Sequence, residues 1–166
     1  MLGLSDALGA LAPPEIEISH LWPNLVFMNR GLMGKTILLD SGGDRDKIPE
    51  WMVVGLRLRL KVESKKLHQQ IEMTSLEDEG ASFLSKIRII EAIVRHFLSW
   101  LNTWQDEGFK PVHSKWSERI VEKITVNDVL EDLKGEWISL DDTGLALFKA
   151  GNNHYSKSLL EVDLTK

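Results

Sequence analysis

Trp22-Pro23-Asn24-Leu25-Val26-Phe27-Met28-Asn29-Arg30-Gly31-Leu32-Met33-Gly34-Lys35-Thr36-Ile37-Leu38-Leu39 is the stretch from which the fold is read. Val26-Phe27-Met28 is a short apolar run, Asn29-Arg30-Gly31 is a turn containing a glycine, and Thr36-Ile37-Leu38-Leu39 is a second apolar run. Two such runs about such a turn predict a β-hairpin. Upstream, Leu2, Leu4, Ala7, Leu8 and Leu11 recur at helical spacing until Pro13-Pro14 stops the helix, and Glu15 to Ile18 alternate polar and apolar as an extended segment does.

Downstream, Ser41-Gly42-Gly43-Asp44 and Pro49 mark a loop. Leu56, Leu58 and Leu60 then alternate with Arg57, Arg59 and Lys61, so the period predicts a strand with leucines toward a core and cations toward water or a ligand. Lys65 to Gln70 reads as loop, and Thr74-Ser75-Leu76-Glu77-Asp78 as a turn with cap-like hydroxyls. Phe83, Ile87, Ile90, Val94, Phe97, Leu101 and Trp104 recur at threes and fours and predict one continuous apolar stripe along a long helix, with Glu91 and Arg95 an ordinary i,i+4 pair. Gly108 ends that helix, and Pro111 is expected to prevent its resumption, which sets a division into residues 1–112 and 113–166. Beyond it, Trp137-Ile138-Ser139-Leu140, Leu145-Ala146-Leu147-Phe148 and the segment from His154 to Leu164 predict short antiparallel strands about the turns 141–144 and 151–153. Val126 to Leu133 fits helix or strand.

The chain has 166 residues, 43% hydrophobic and 27% charged, with a formal charge of -5 and no cysteine. These values describe a folding sequence without disulfides or thiolate ligands, suited to a reducing cytoplasm, and give no electrostatic reason to expect a nucleic acid or an anionic membrane as partner. The segment before Pro13 lacks the basic start of a signal peptide. The five histidines are dispersed, so no metal is expected. Neither a P-loop nor a Gly-x-Ser-x-Gly elbow occurs, and the six tryptophans sit in apolar patterns that packing explains.

Trp22-Pro23-Asn24, the turn, and Gly34-Lys35 before an apolar strand resemble a segment of biotin protein ligases. Val53-Val54-Gly55, Thr74-Ser75-Leu76 with Gly80, Glu107-Gly108-Phe109, Trp116 and the run Gly135 to Leu147 follow in that family's order. The chain is similar to the divergent biotin/lipoate A/B protein ligase-like proteins of bacteria. The resemblance implies an α+β fold in which a mostly antiparallel sheet packs with helices, of the class II synthetase or biotin ligase type. Residues 1–112 would form a partial ligase core and 113–166 a small SH3-like β-module.

Such ligases join a carboxylate to the α-phosphate of ATP and pass the acyl group to a lysine of a carrier protein, steps that need a fixed cation and close-approach glycines. Under the resemblance the family's aspartate falls at Leu25 and its catalytic lysine at Leu32, while Gly34 keeps one glycine and Lys35 replaces the next. Lys35 is therefore the candidate catalytic cation. Strand periodicity puts it on the face opposite Leu32 unless the register shifts. Trp22, Pro23, Asn24, Gly31 and Gly34 are the implied ligand-binding residues. Arg57 and Arg59, standing where the family carries a glycine and an asparagine, are candidates to pair with a phosphate or carboxylate, or to fill the site. The family's basic glycine-rich loop would precede Met1.

Three functions are expected. One is a degenerate ligase-like domain that binds an acyl or nucleotide ligand without efficient turnover. A second is an active biotin- or lipoate-type ligase, using ATP and a biotinyl or lipoyl carrier domain, completed by a segment outside these residues. The third is a non-catalytic interaction protein that forms a homodimer through open sheet edges.

Overall fold

Two hydrophobic clusters, one on each face of a four-stranded antiparallel sheet, organise the chain. The computed structural model describes residues 1–42, 50–61, 67–68, 71–121, 136–159 and 162. The element order is α1 (Leu2–Leu11), β1 (Ile18–Leu21), β2 (Leu25–Met28), β3 (Gly31–Asp40), β4 (Met52–Leu58), β5 (Leu67–His68), β6 (Ile71–Glu72), α2 (Lys86–Glu107), α3 (Phe109–Ser117), β7 (Glu136–Leu140), β8 (Ala146–Ala150) and β9 (Asn153–Lys157). β1 to β4 form one sheet in sequence order, β5 and β6 a two-stranded ladder, and β7 to β9 a three-stranded meander. This is the α+β, mostly antiparallel architecture expected from the sequence.

The hairpin forms where it was expected, but Gly31 is not its turning residue. Asn29 and Arg30 carry the positive φ values, 45° and 68°, that a two-residue turn of matching twist requires. Asparagine tolerates that region, and here its side chain accepts from the Glu17 amide and donates to Glu79, which anchors the turn. Gly31 serves packing instead: a Cβ there would lie 2.7 Å from the Thr74 Cβ.

Alternation along β2 splits its side chains between the two clusters. Val26 and Met28 join Leu4 and Leu8 of α1, Met33, Leu76 and Ile89, whereas Leu25 and Phe27 join Trp22, Leu32, Trp116 and Phe148. Helices α1 and α2 thus cover one face, and the meander covers the other. The two helices approach closely because position 3 is glycine: a Cβ on Gly3 would meet the Phe97 Cα at 2.7 Å. The outer edge of β1 is covered by residues 119–121, through His20 N–H to the Arg119 carbonyl and Val121 N–H to the His20 carbonyl. Among the described residues β4 ends the sheet.

Three expectations need correction. The strand about Leu56 runs from Met52 to Leu58 and so stops short of Leu60; Leu58 and Leu60 do reach the second cluster, but Leu56, expected to face a core, is exposed along with Met52, Val53 and Val54, because no layer of the described residues lies over the end of β4. The apolar stripe of α2 is covered only in part: Ile87 is 70% accessible, Phe97 meets α1 and Leu101 is half-buried, while the helix packs mainly through Ile89 and Ala92 on an adjacent line. Pro111 does not prevent a helix. It sits in the first turn of α3, where an amide has no intrahelical acceptor to lose, and α3 runs through residues 112 and 113.

The meander follows its turn residues. Asp141 accepts from the amides of Thr143 and Leu145, closing the β7–β8 turn at Gly144, and Gly151 with φ 62° makes the next one. Phe148 stacks on Tyr155 at 5.2 Å and stands edge-on to Trp22 at 5.6 Å, so aromatic contacts tie the meander to the start of β2. In the stretch 65–70, read as loop, Leu67 and His68 instead form β5, paired antiparallel with β6, because backbone pairing between the two segments and not local polarity decides it; the rest of that stretch, the loop after Gly42, the segment 126–133 and the end of the chain beyond 162 lie outside the described residues.

Candidate functional site: a cation row and an apolar cleft

Register decides what the hairpin can present. Leu25 pairs with Lys35 and Val26 with Gly34, but Phe27 pairs with Leu32, so β3 carries one extra residue, Met33, at a bulge between Val26 and Phe27. Leu25 and Phe27, two apart on β2, share a face, and cross-strand partners share a face as well. Lys35 and Leu32 therefore stand on the same side of the sheet. The bulge cancels the odd spacing that would otherwise separate them. Across the next ladder Lys35 pairs with Arg57, which completes a row Leu25, Lys35, Arg57 over three strands.

Arg59 extends this basic region. Its Nη1 donates to the Leu32 carbonyl at 3.2 Å and its amide donates to the Met33 carbonyl at 3.1 Å, which pin it against β3. Burial, then the charge of Arg57, lowers its pKa from the ordinary guanidinium value, as expected for like charges held together. Arg57 is exposed and Lys35 half-buried. Two or three cations on one strand pair suit a carboxylate or phosphate better than a neutral ligand.

The positions to which the resemblance assigns the aspartate and the lysine are filled differently. Leu25 is 7% and Leu32 3% accessible, both in the cluster that includes Phe27 and Phe148. Asn24 is buried and spends its amide on the Thr36 carbonyl at 2.8 Å, while its own carbonyl accepts from the Thr36 amide. Gly34 permits close approach of the chain to itself, since a Cβ there would stand 2.1 Å from the Arg57 carbonyl oxygen. Trp22 is buried, stacked on Trp137 at 6.0 Å, and its peptide to Pro23 is cis.

Trp22 and Pro23 also border a cleft of about 320 Å³ whose other walls come from Met52 at the end of β4, Phe97, Trp100, Leu101 and Trp104 of α2, and Phe109, His113 and Trp116 of α3. Lys35, Arg57 and Arg59 are not in its wall. The structure thus brings Trp22 and Pro23 to the cleft and the three cations to the sheet, as two separate features. The cleft was missed in the sequence because its residues come from elements far apart in the chain, from α1 to β7. The repeated tryptophans at 100, 104 and 116 were the available signal, and they were assigned to packing.

Behind the cleft lies a polar cluster that sequence patterns did not reveal. Asp6 accepts from the Trp100 indole N–H at 2.6 Å and pairs with Arg119 at 2.6 Å, tying α1, α2 and the end of α3 together. Burial opposes the charge on Asp6, but these two partners prevail and its pKa is lowered. His20, fully buried beside Trp116, hydrogen-bonds through Nε2 with Ser5 Oγ, and burial, then the nearby N-terminal amine and Arg119, lower its pKa to about 3. It is a neutral core histidine. Among the described residues no group of three acids or histidines is placed to hold a metal, and no helix is long and apolar enough to cross a membrane.

Comparison with known proteins agrees with this geometry. A biotin--[acetyl-CoA-carboxylase] ligase from Paracoccus denitrificans is 24% identical over 153 residues, covering 89% of this chain and 63% of its own length. A biotin protein ligase-like protein of unknown function from a Silicibacter species superimposes with a TM-score of 0.75 at 25% identity, over 95% of this chain and 68% of that one. The Aquifex aeolicus biotin protein ligase solved with biotin and ATP gives a TM-score of 0.64 at 17% identity, over 94% and 64%, a likeness of fold. The chain therefore spans about two thirds of each relative. The Biotin/lipoate A/B protein ligase family profile matches residues 1–118, most of the sequence, and the chain belongs to that family.

Proposed function

We propose that this chain is a biotin/lipoate ligase-like domain whose adenylating face is degenerate, and which binds an acyl or nucleotide anion without efficient turnover. One observation carries this reading: Leu25 and Leu32, to which the resemblance assigns the family's carboxylate and cation, are packed in a core with Phe27 and Phe148. A buried leucine can neither balance charge on a reacting phosphate nor orient a carboxylate. What the face retains is the row of Lys35 and Arg57, with Arg59 beside it, which supports anion binding. Lys35 stands on the face of the lost lysine, and it is the residue to test.

Biotin- or lipoate-dependent pyrophosphate exchange with ATP is expected to be undetectable for the purified chain. Titration with ATP, or with a non-hydrolysable biotinyl-adenylate analogue, is expected to show binding that weakens in Lys35→Ala and Arg57→Ala. Exchange that is appreciable in the natural chain and vanishes in Lys35→Ala would overturn degeneracy, since loss of a charge-stabilising donor costs about 10²–10³ in rate.

The coverage of only 63% of the Paracoccus ligase favours a second reading. In it the chain is part of an active biotin- or lipoate-type ligase, with the remaining portion supplied by other residues. ATP would then provide the phosphate that activates biotin or lipoate, and a biotinyl or lipoyl carrier domain would receive the acyl group. Restoration of exchange when the adjoining coding sequence is expressed with this chain would decide for it.

A further inference from the structure

A cleft of about 320 Å³ is too large to be a packing defect of a close-packed interior. A cavity of about 150 Å³ takes benzene, so this one has room for a body of about twice that size, two fused rings. Its deep residues Leu2, Trp22 and Trp116 are buried, while Met52 and Trp104 at its rim are exposed, so the cleft opens to solvent. Six aromatic side chains line it, Trp22, Phe97, Trp100, Trp104, Phe109 and Trp116. Three of them are fixed by partners of their own: the Trp100 indole donates to Asp6, the Trp116 indole to the Met1 sulfur at 3.4 Å, and Trp22 stacks on Trp137. Walls held in this way need little reordering when a ligand enters, which removes a cost from binding.

Charge narrows what can enter. Among the described residues that line the cleft none is an acid, a lysine or an arginine, so an ion seated there would meet no opposite charge. His113 supplies a polar point. Its Nε2 lies 3.2 Å from the Leu140 carbonyl, which can only accept, so Nε2 carries the proton and Nδ1 is left as an acceptor. Water needs roughly two to four polar partners and is poorly held between such walls, so its displacement favours a ligand that brings apolar surface.

We propose that the cleft is a binding site for a small, neutral, planar aromatic molecule of about two fused rings, with one hydrogen-bond donor for His113. It is separate from the anion site proposed above, because Lys35, Arg57 and Arg59 lie outside its wall.

Isothermal titration calorimetry of the full chain with 2-naphthol at about pH 8, where an ordinary imidazole is uncharged, provides the test. A Kd of roughly 10–100 µM is expected, the range open to so small a ligand. The 2-naphthoate anion should bind at least about 10-fold more weakly, lacking a countercharge, and 1-octanol, with no ring to stack, about 3- to 10-fold more weakly. Trp104→Ala at the exposed rim and His113→Phe, which keeps a ring and removes the acceptor, should each weaken 2-naphthol about 3- to 10-fold. Val112→Trp, which fills the cleft, should abolish binding, with circular dichroism checking that each variant is folded. No binding up to about 1 mM overturns the proposal. Binding of 2-naphthoate or 1-octanol as tight as that of 2-naphthol overturns it too, since the walls would then select neither neutrality nor rings. Binding indifferent to both Trp104→Ala and Val112→Trp places the probe elsewhere and overturns the site. Indifference to His113→Phe overturns the role of its acceptor, and displacement of 2-naphthol by ATP overturns the separation from the anion site.

Discussion

Gly34→Ala separates two reasons for a glycine at this place. If the residue serves close approach of a ligand, alanine will impair binding and leave stability nearly unchanged. The structure assigns it a different neighbour, the Arg57 carbonyl oxygen, 2.1 Å from where a Cβ would be. Relieving that contact to an ordinary distance requires β3 and β4 to part locally by about 1 Å, enough to break the hydrogen bonds beside the Gly34–Leu58 pair. Two ladder bonds at about 1 kcal/mol each, with a stranded carbonyl, amount to roughly 2–4 kcal/mol. That is a large share of the 5–15 kcal/mol typical of a domain. Urea unfolding at 25 °C followed by tryptophan fluorescence measures it. Gly9→Ala is the control: nothing lies within 4 Å of a Cβ there, and replacing a helical glycine should add about 0.5–1 kcal/mol. A Gly34→Ala protein within about 0.5 kcal/mol of the natural chain would refute the packing argument and return the glycine to a ligand role.

Two further outcomes follow from the buried polar cluster. His20 has its pKa depressed from 6.5 to about 3, so the unfolded chain takes up the proton first as pH falls. The stability this represents is fully present above pH 6.5 and lost progressively toward pH 3, at up to about 1.4 kcal/mol per pH unit. In His20→Gln the urea midpoint should decline less steeply between pH 6 and 5, and equal slopes in the two proteins would exclude His20 as the source. Asp6→Ala removes the acceptor of both Trp100 and Arg119 and should cost about 2–3 kcal/mol near neutrality. Because the folded pKa of Asp6 is lowered, that difference should shrink as pH falls below 3.8, and a gap constant down to pH 2 would show the loss to be packing.

Local pattern was enough for most elements. α1 and the start of the hairpin follow from the spacing of Leu2 to Leu11 and from Val26-Phe27-Met28, and the meander follows from the turns at Asp141 and Gly151. Helix and strand periods are properties of a few adjacent residues, and turn residues act through their own backbone. α2 shows the boundary of that information. Its stripe was legible as a helix, but the helix has apolar residues on two adjacent lines, and periodicity cannot say which of them a neighbour will cover.

The candidate site was legible in its residues and not in its geometry. The positions of Leu25, Leu32, Lys35, Arg57 and Arg59 along the chain were enough to single them out. By itself the sequence determined the helical and extended segments and singled out Leu25, Leu32 and the cations Lys35, Arg57 and Arg59 as positions to examine. Only the tertiary structure decided that Met33 forms a bulge, so that Lys35 stands on the face of Leu32, and that tryptophans from separate elements wall a cleft. The physical reason is that register and burial are settled between segments far apart in the chain: a strand's partner sets which residue is extra, and a neighbouring layer sets which apolar face is covered.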